Sequence, residues 1–166
     1  MKKVLFLILL TSIVKLATAQ DLPPDSPAYK RFPTIPPFTV LQVDSTNLTK
    51  DQLNKHQPTI IFYFSPDCDH CKHQWQDFED HMKEFKKYQI VMITHQPFPT
   101  MVAFYNMHKV FNYPNIKMGQ DTKFFLPPFY RMQSLPFMAL YDKSGKLITT
   151  FEGNVKTDKL LAAFNK

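Results

Sequence analysis

The sequence predicts an α/β fold, a central mixed sheet flanked by helices, and three observations carry that expectation. "TIIFYF", residues 59–64, is a continuous β-branched and aromatic run, the pattern of a strand buried on both faces. After a break at Ser65-Pro66-Asp67, residues Cys71, Trp75, Phe78, Met82 and Phe85 recur at spacings of four and three, which is the buried stripe of one helix. Near the end of the chain, "FMALYD" and "KLITTF" flank Lys143-Ser144-Gly145 as a β-hairpin.

In chain order, Lys2 and Lys3 precede an apolar stretch from Val4 to Leu10 that continues through Ile13 and Val14 to Ala17-Thr18-Ala19. That is the order of a secretory signal peptide, expected over residues 1–19. Its apolar part is short for a bilayer span, so no stable membrane anchor is expected after cleavage. No cysteine lies near the cleavage point to carry a lipid. Residues 20–37 read as a Pro-rich N-terminal linker or a strap over the surface, with six prolines between Asp21 and Pro37. A single domain is expected over 38–166.

Within it, "FTVLQV" (38–43) reads as a short strand and "TKDQLNK" from Thr49 as a short capped helix. On the helix after the break, Lys72, Gln76, Glu79, Asp80, Lys83 and Lys87 fall on the wet side, with Glu79 and Lys83 as a favourable pair. "QIVMI" (89–93) is a second buried strand. From Pro97 to Met132 the pattern is less regular, with a helix expected around 100–110 and core and turn at "FFLPPFYR" (124–131). "TDKLLAAF" from Thr157 closes the chain as a helix.

Apolar residues at 44% and charged residues at 20% describe a globular protein. Loss of Lys2, Lys3 and Lys15 with the leader takes the formal charge from +6 to +3, with signs interspersed, which argues against a nucleic-acid partner. The chain is expected to be exported, and periplasmic in a Gram-negative cell.

Only two cysteines are present, Cys68 and Cys71. A structural bridge between them would close a two-residue loop and stabilise the fold little, which leaves redox chemistry or a metal. Cys68 falls in the first turn of the helix, where unpaired N–H groups and the dipole favour a thiolate. His70 adds positive charge or a hydrogen bond when protonated, and Asp67 and Asp69 oppose it. Two thiolates with His70 or His73 fall short of the four ligands of a structural zinc site. Copper(I) tolerates fewer and softer ligands, so a copper-binding module or chaperone using the same cysteines is the alternative function. His73, Asp77 and His81 share a helix face that reads as solvated, and the five methionines between 101 and 138 read as core. His56, His95 and His108 read as structural. No metal site and no cofactor are expected.

The buried strand, the C-x-x-C at a helix start, and Leu135-Pro136 just before a hairpin and a final helix together resemble the thioredoxin fold. With the export signal and the N-terminal "PPFTVLQV", the chain is most similar to the TlpA/ResA-like branch of exported thiol–disulfide oxidoreductases, over roughly residues 36–165. Cys68 and Pro136 are 68 positions apart, room for a segment inserted between the C-x-x-C helix region and the proline. The resemblance implies that Pro136 is cis and lies beside the cysteines. It assigns catalysis to Cys68, Cys71, His70 and Pro136, and substrate contact to Leu135, Pro66 and Asp67. It also implies protein thiols or disulfides as partners and an upstream electron donor. Cys68 attacks and Cys71 resolves, with reduction of the partner as the expected direction; an oxidising poise would run the same steps backward.

The chain also departs from its relatives. Phe62 stands where thioredoxin has a buried aspartate, and Gln74 where TlpA/ResA-like proteins often have a glutamate, so neither acid can take a proton from the resolving thiol. Asp67 replaces the usual aromatic, and His70 is similar to the C-x-H-C pairs of protein disulfide isomerases and DsbA-like oxidants. A peroxide-reducing relative would want Thr or Ser three residues before its cysteine and Pro four residues earlier still. Ser65 meets the first demand and Ile61 fails the second.

Overall fold

The computed structural model describes Pro23 and residues 25–165; the expected leader lies outside the described residues. Seven strands form one sheet: β1 (Thr39–Gln42), β2 (Asn47–Thr49), β3 (Thr59–Tyr63), β4 (Gln89–Thr94), β5 (Ile116–Gln120), β6 (Phe137–Tyr141) and β7 (Leu147–Glu152). Among the described residues six α-helices accompany them: α1 (Ala28–Arg31), α2 (Asp69–Asp80), α3 (Met82–Phe85), α4 (Phe98–Met107), α5 (Leu126–Tyr130) and α6 (Thr157–Ala163). The strand order is β2-β1-β5-β4-β3-β6-β7, with β3, β4 and β5 parallel and the other pairings antiparallel. The expected mixed sheet between helices is therefore present.

Because side chains alternate along a strand, the apolar run of β3 serves two cores. Ile60, Phe62 and Phe64 join Trp75, Phe78, Phe85, Met101, Phe104 and Leu160 on one face. Ile61 and Tyr63 join Phe38, Leu48, Leu126, Tyr130 and Tyr141 on the other. Trp75 is fully buried and meets Phe104, His108 and Tyr113 edge-on, which joins α2 to the segment inserted after β4. At β5, a Cβ on Gly119 would lie 2.5 Å from Val40 Cγ2, so only glycine lets β1 approach at this register.

Residues 25–37 run along the surface as a strap. Ile35 N–H donates to Gly145 O at 3.0 Å, Leu147 N–H donates to Pro33 O at 2.8 Å, and Tyr29 packs on Tyr130. Asp121, almost fully buried, accepts from the N–H groups of Phe125 and Leu126 at 3.0 and 2.9 Å and so starts α5. Pro127 and Pro128 fit this first turn because their missing N–H groups would be unpaired there.

Three expectations are corrected. The short capped helix expected from Thr49 is a single 3-10 turn, Lys50–Gln52, which follows the end of β2 at Thr49 and has the Gln52 side chain folded back onto Thr49 N–H at 2.7 Å. The single helix expected through Phe85 is broken at His81, whose ring Nδ1 lies 2.8 Å from Asp77 O and so competes for the helix carbonyl there. Glu79 does not bond Lys83; it accepts from Tyr113 OH at 3.3 Å.

Candidate active site

The cysteines sit where the chain leaves the C-terminal end of β3. Ser65 to Asp67 turn the backbone, Cys68 N–H donates to Ser65 O at 3.2 Å, and Cys68 becomes the N-cap of α2. Its Sγ accepts from Cys71 N–H at 3.4 Å, as a capping side chain does. Cys71 lies one turn in, fully buried, and its Sγ accepts from Ser65 N–H at 3.4 Å. Cys68 is only partly buried and the two thiols are unbridged. Burial pushes the Cys71 thiol up to about 12; the neighbouring Cys68 adds to the rise and the Ser65 N–H opposes it.

Of the other expected site residues, Pro66 is buried in the turn, while Asp67 and His70 are exposed. The His70 ring makes no hydrogen bond among the described residues, but its carbonyl accepts from Asn154 Nδ2 at 2.6 Å. Leu135-Pro136 is a cis peptide. The antiparallel register Tyr63↔Phe137 carries Pro136 and Leu135 opposite Phe64 and Ser65, at the same end of the sheet as the cysteines. Leu135 packs against the core that holds Cys71. Among the described residues its N–H and C=O have no hydrogen-bond partner.

Gln74 was legible only as a departure from relatives, yet it is a main tie of the site. Almost fully buried, it donates to Val155 O at 3.0 Å and accepts from Val155 N–H at 2.7 Å. Together with the Asn154–His70 bond, this clasp fastens the first two turns of α2 to the loop before α6. On the outer face of α2, Asp77 accepts from Thr157 Oγ1 at 2.7 Å. The Asp77 carbonyl, then its carboxylate, raises the His81 pKa. Among the described residues no group of three or more His, Cys, Asp or Glu is placed to hold a metal. The five methionines are not gathered: Met101, Met118 and Met138 lie in one core, Met132 packs against the other, and Met107 is exposed.

This geometry separates the thiols in reactivity. With the reduced protein at pH 8, iodoacetamide should modify Cys68 at least about a hundredfold faster than Cys71, because only the thiolate reacts and Cys71 is both enclosed and almost wholly protonated. Above pH 9 the Cys71 rate should rise about tenfold per pH unit. Equal rates, read by peptide mass mapping, would overturn the assignment of roles.

Solved structures share this fold at low identity. A secreted disulfide oxidoreductase of Mycobacterium tuberculosis, homologous to E. coli DsbE, superposes with a TM-score of 0.64 at 15% identity, covering 78% of this chain and 95% of its own. StoA from Bacillus subtilis gives 0.59 at 19% identity, over 79% and 98%. The exposed lipoprotein thioredoxin of Streptococcus pneumoniae gives 0.61 at 23% identity, over 77% and 97%. No curated protein matches the chain. The AhpC/TSA family model matches residues 33–162, which takes in the strap's end, the whole sheet, both cysteines and Leu135-Pro136. The chain thus belongs to the AhpC/TSA family and has a thioredoxin-like fold.

Proposed function

We propose that this protein is a thiol–disulfide oxidoreductase that acts outside the cytoplasm, after removal of residues 1–19, and reduces disulfides of protein partners. The observation that carries the reading is the partly exposed Cys68 at the α2 start, with the buried Cys71 one turn behind it. The Cys68 thiolate attacks a partner disulfide, forming a mixed disulfide and releasing one partner sulfur as a thiolate. Cys71 then attacks Cys68 Sγ, its proton passing to solvent or to the released thiolate. The second partner thiol leaves and the Cys68–Cys71 disulfide remains. Two electrons have passed to the partner, and a dithiol protein upstream must restore them.

The reducing direction is the one implied by the resemblance to the TlpA/ResA-like branch. The free N–H and C=O of Leu135 offer an extended partner segment the pairing that one strand gives another. Pro66, Asp67, His70 and Pro136 would line its path. Export is supported by the leader's order of residues and by the secreted and lipoprotein character of two structural neighbours. A peroxidase reading lacks its proline: position 61 is a buried isoleucine paired on both sides inside the sheet.

Trapping tests the proposal. Expressed in the native host, Cys71→Ser should accumulate disulfide-linked complexes through Cys68 that collapse on reduction and are missing from the Cys68→Ser/Cys71→Ser double variant. Tight copper(I) binding by the native pair with no trapped partner would instead support the copper-binding alternative.

A further inference from the structure

The end of the molecule opposite the cysteines carries two adjoining clefts, of about 710 and 520 Å³, which share His56, Gln57, Lys143 and Ser144. They lie at the start of β3, about 20 Å along the strand direction from the cysteine turn. Lys50, Lys55, Lys87 and Lys143 line them. None of these lysines forms an ion pair among the described residues.

The one acid in the linings, Asp142, is already engaged. Its Oδ1 accepts from Ser144 N–H, Ser144 Oγ–H and Lys146 N–H at 2.8, 2.7 and 2.9 Å. The loops that present the cations are fixed by hydrogen bonds. The buried Gln89 amide donates to Asn54 O at 2.9 Å and to Thr59 Oγ1 at 2.8 Å, and accepts from Asn54 N–H at 3.0 Å; Gln57 donates to Lys87 O at 3.3 Å. His56 holds a left-handed backbone, φ 65°, uncommon for a side-chain-bearing residue and worth a functional explanation. Pro58, Tyr88, Ile148 and Phe164 add an apolar wall to the larger cleft.

We infer that this pole is a docking surface for an acidic polypeptide segment, one whose carboxylates meet the four lysines while an apolar side chain rests on the wall. Charge complementarity selects an anionic partner. A polypeptide suits the surface better than a compact anion does, because the cations are strung along two joined clefts whose combined size exceeds an ordinary small-molecule pocket. Fixed loops lower the ordering cost of such docking. The surface stands apart from the thiol chemistry and does not depend on it.

The test uses the leaderless chain and a fluorescein-labelled Glu-rich peptide containing one Leu-Phe step, followed by anisotropy. Saturable binding is expected, weakening as salt rises. Lys55→Glu/Lys143→Glu should weaken it by about tenfold or more. Lys123→Glu/Lys156→Glu carries the same change in charge outside the clefts and should leave binding close to wild type. Both double variants should reduce a small model disulfide at the wild-type rate, which shows that they fold. Equal weakening by the two, no saturable binding at low salt, or displacement by pyrophosphate at matched charge would each overturn the proposal.

Discussion

Trp75→Ala is expected to destabilise the domain by about 3–5 kcal/mol, the range for removing a large buried aromatic. The side chain is fully buried, and its ring meets Phe104, His108 and Tyr113 with centroids 6.1, 6.0 and 5.9 Å away. Its Nε1 has no hydrogen-bond partner among the described residues, so the loss is one of packing and apolar burial rather than of a polar contact. Trp75→Phe, which keeps an aromatic in the same place, should recover most of the loss. Against a typical domain stability of about 5–15 kcal/mol, the alanine variant stands close to the threshold of folding. Urea titrations by far-UV circular dichroism, compared at unchanged m-value, measure it. A loss below about 1 kcal/mol would show that α2 is not anchored through this residue.

Gln74→Glu should convert a pH-insensitive tie into a pH-dependent one. A protonated carboxyl can accept from Val155 N–H and donate to Val155 O, reproducing both bonds of the amide. The ionised form cannot donate, and it would place a buried charge against a carbonyl. Burial therefore raises the carboxyl pKa in the folded state above its unfolded value of about 4.3. A folded state that holds its proton longer than the unfolded one loses stability as pH rises between the two values. The variant should match wild type near pH 4 and lose about 1.4 kcal/mol per pH unit above that, reaching roughly 3 kcal/mol or more by pH 7. Urea midpoints of both proteins across this range decide it, and parallel curves would remove Gln74 from the clasp.

Much of the framework was legible because its elements are long or strongly patterned. β3, β4 and the β6–β7 hairpin are apolar runs bounded by turn residues, and the start of α2 is marked by the stripe beginning at Cys71. β5 was not legible: "IKMGQ" has neither a continuous apolar run nor strong β formers throughout, and Gly119 is there because β1 comes close. β2, three residues long, disappears in what reads as a helix start. The break at His81 is hidden because the apolar stripe runs on through Met82 and Phe85.

At the site, the cysteine positions follow from local sequence. The depth of Cys71 and the Gln74 clasp do not, since Gln74 and Val155 are 81 positions apart. The lysines of the opposite pole come from three separate loops, so no charge run announces them.

The strand order also has a bearing on when the site comes into being. β3 finds its parallel neighbour β4 within about thirty residues, but its other neighbour, β6, lies nearly eighty residues on. Closing the longer loop costs more chain entropy, and topologies rich in such distant contacts fold slowly. During synthesis, β3, α2 and β4 emerge with Cys68 well before Leu135 and the hairpin leave the ribosome. Until that hairpin docks, the cysteine turn lacks the Leu135-Pro136 edge that stands at its end of the sheet in the folded chain. The complete site is therefore a property of the finished domain, acquired as the last distant strand pairs.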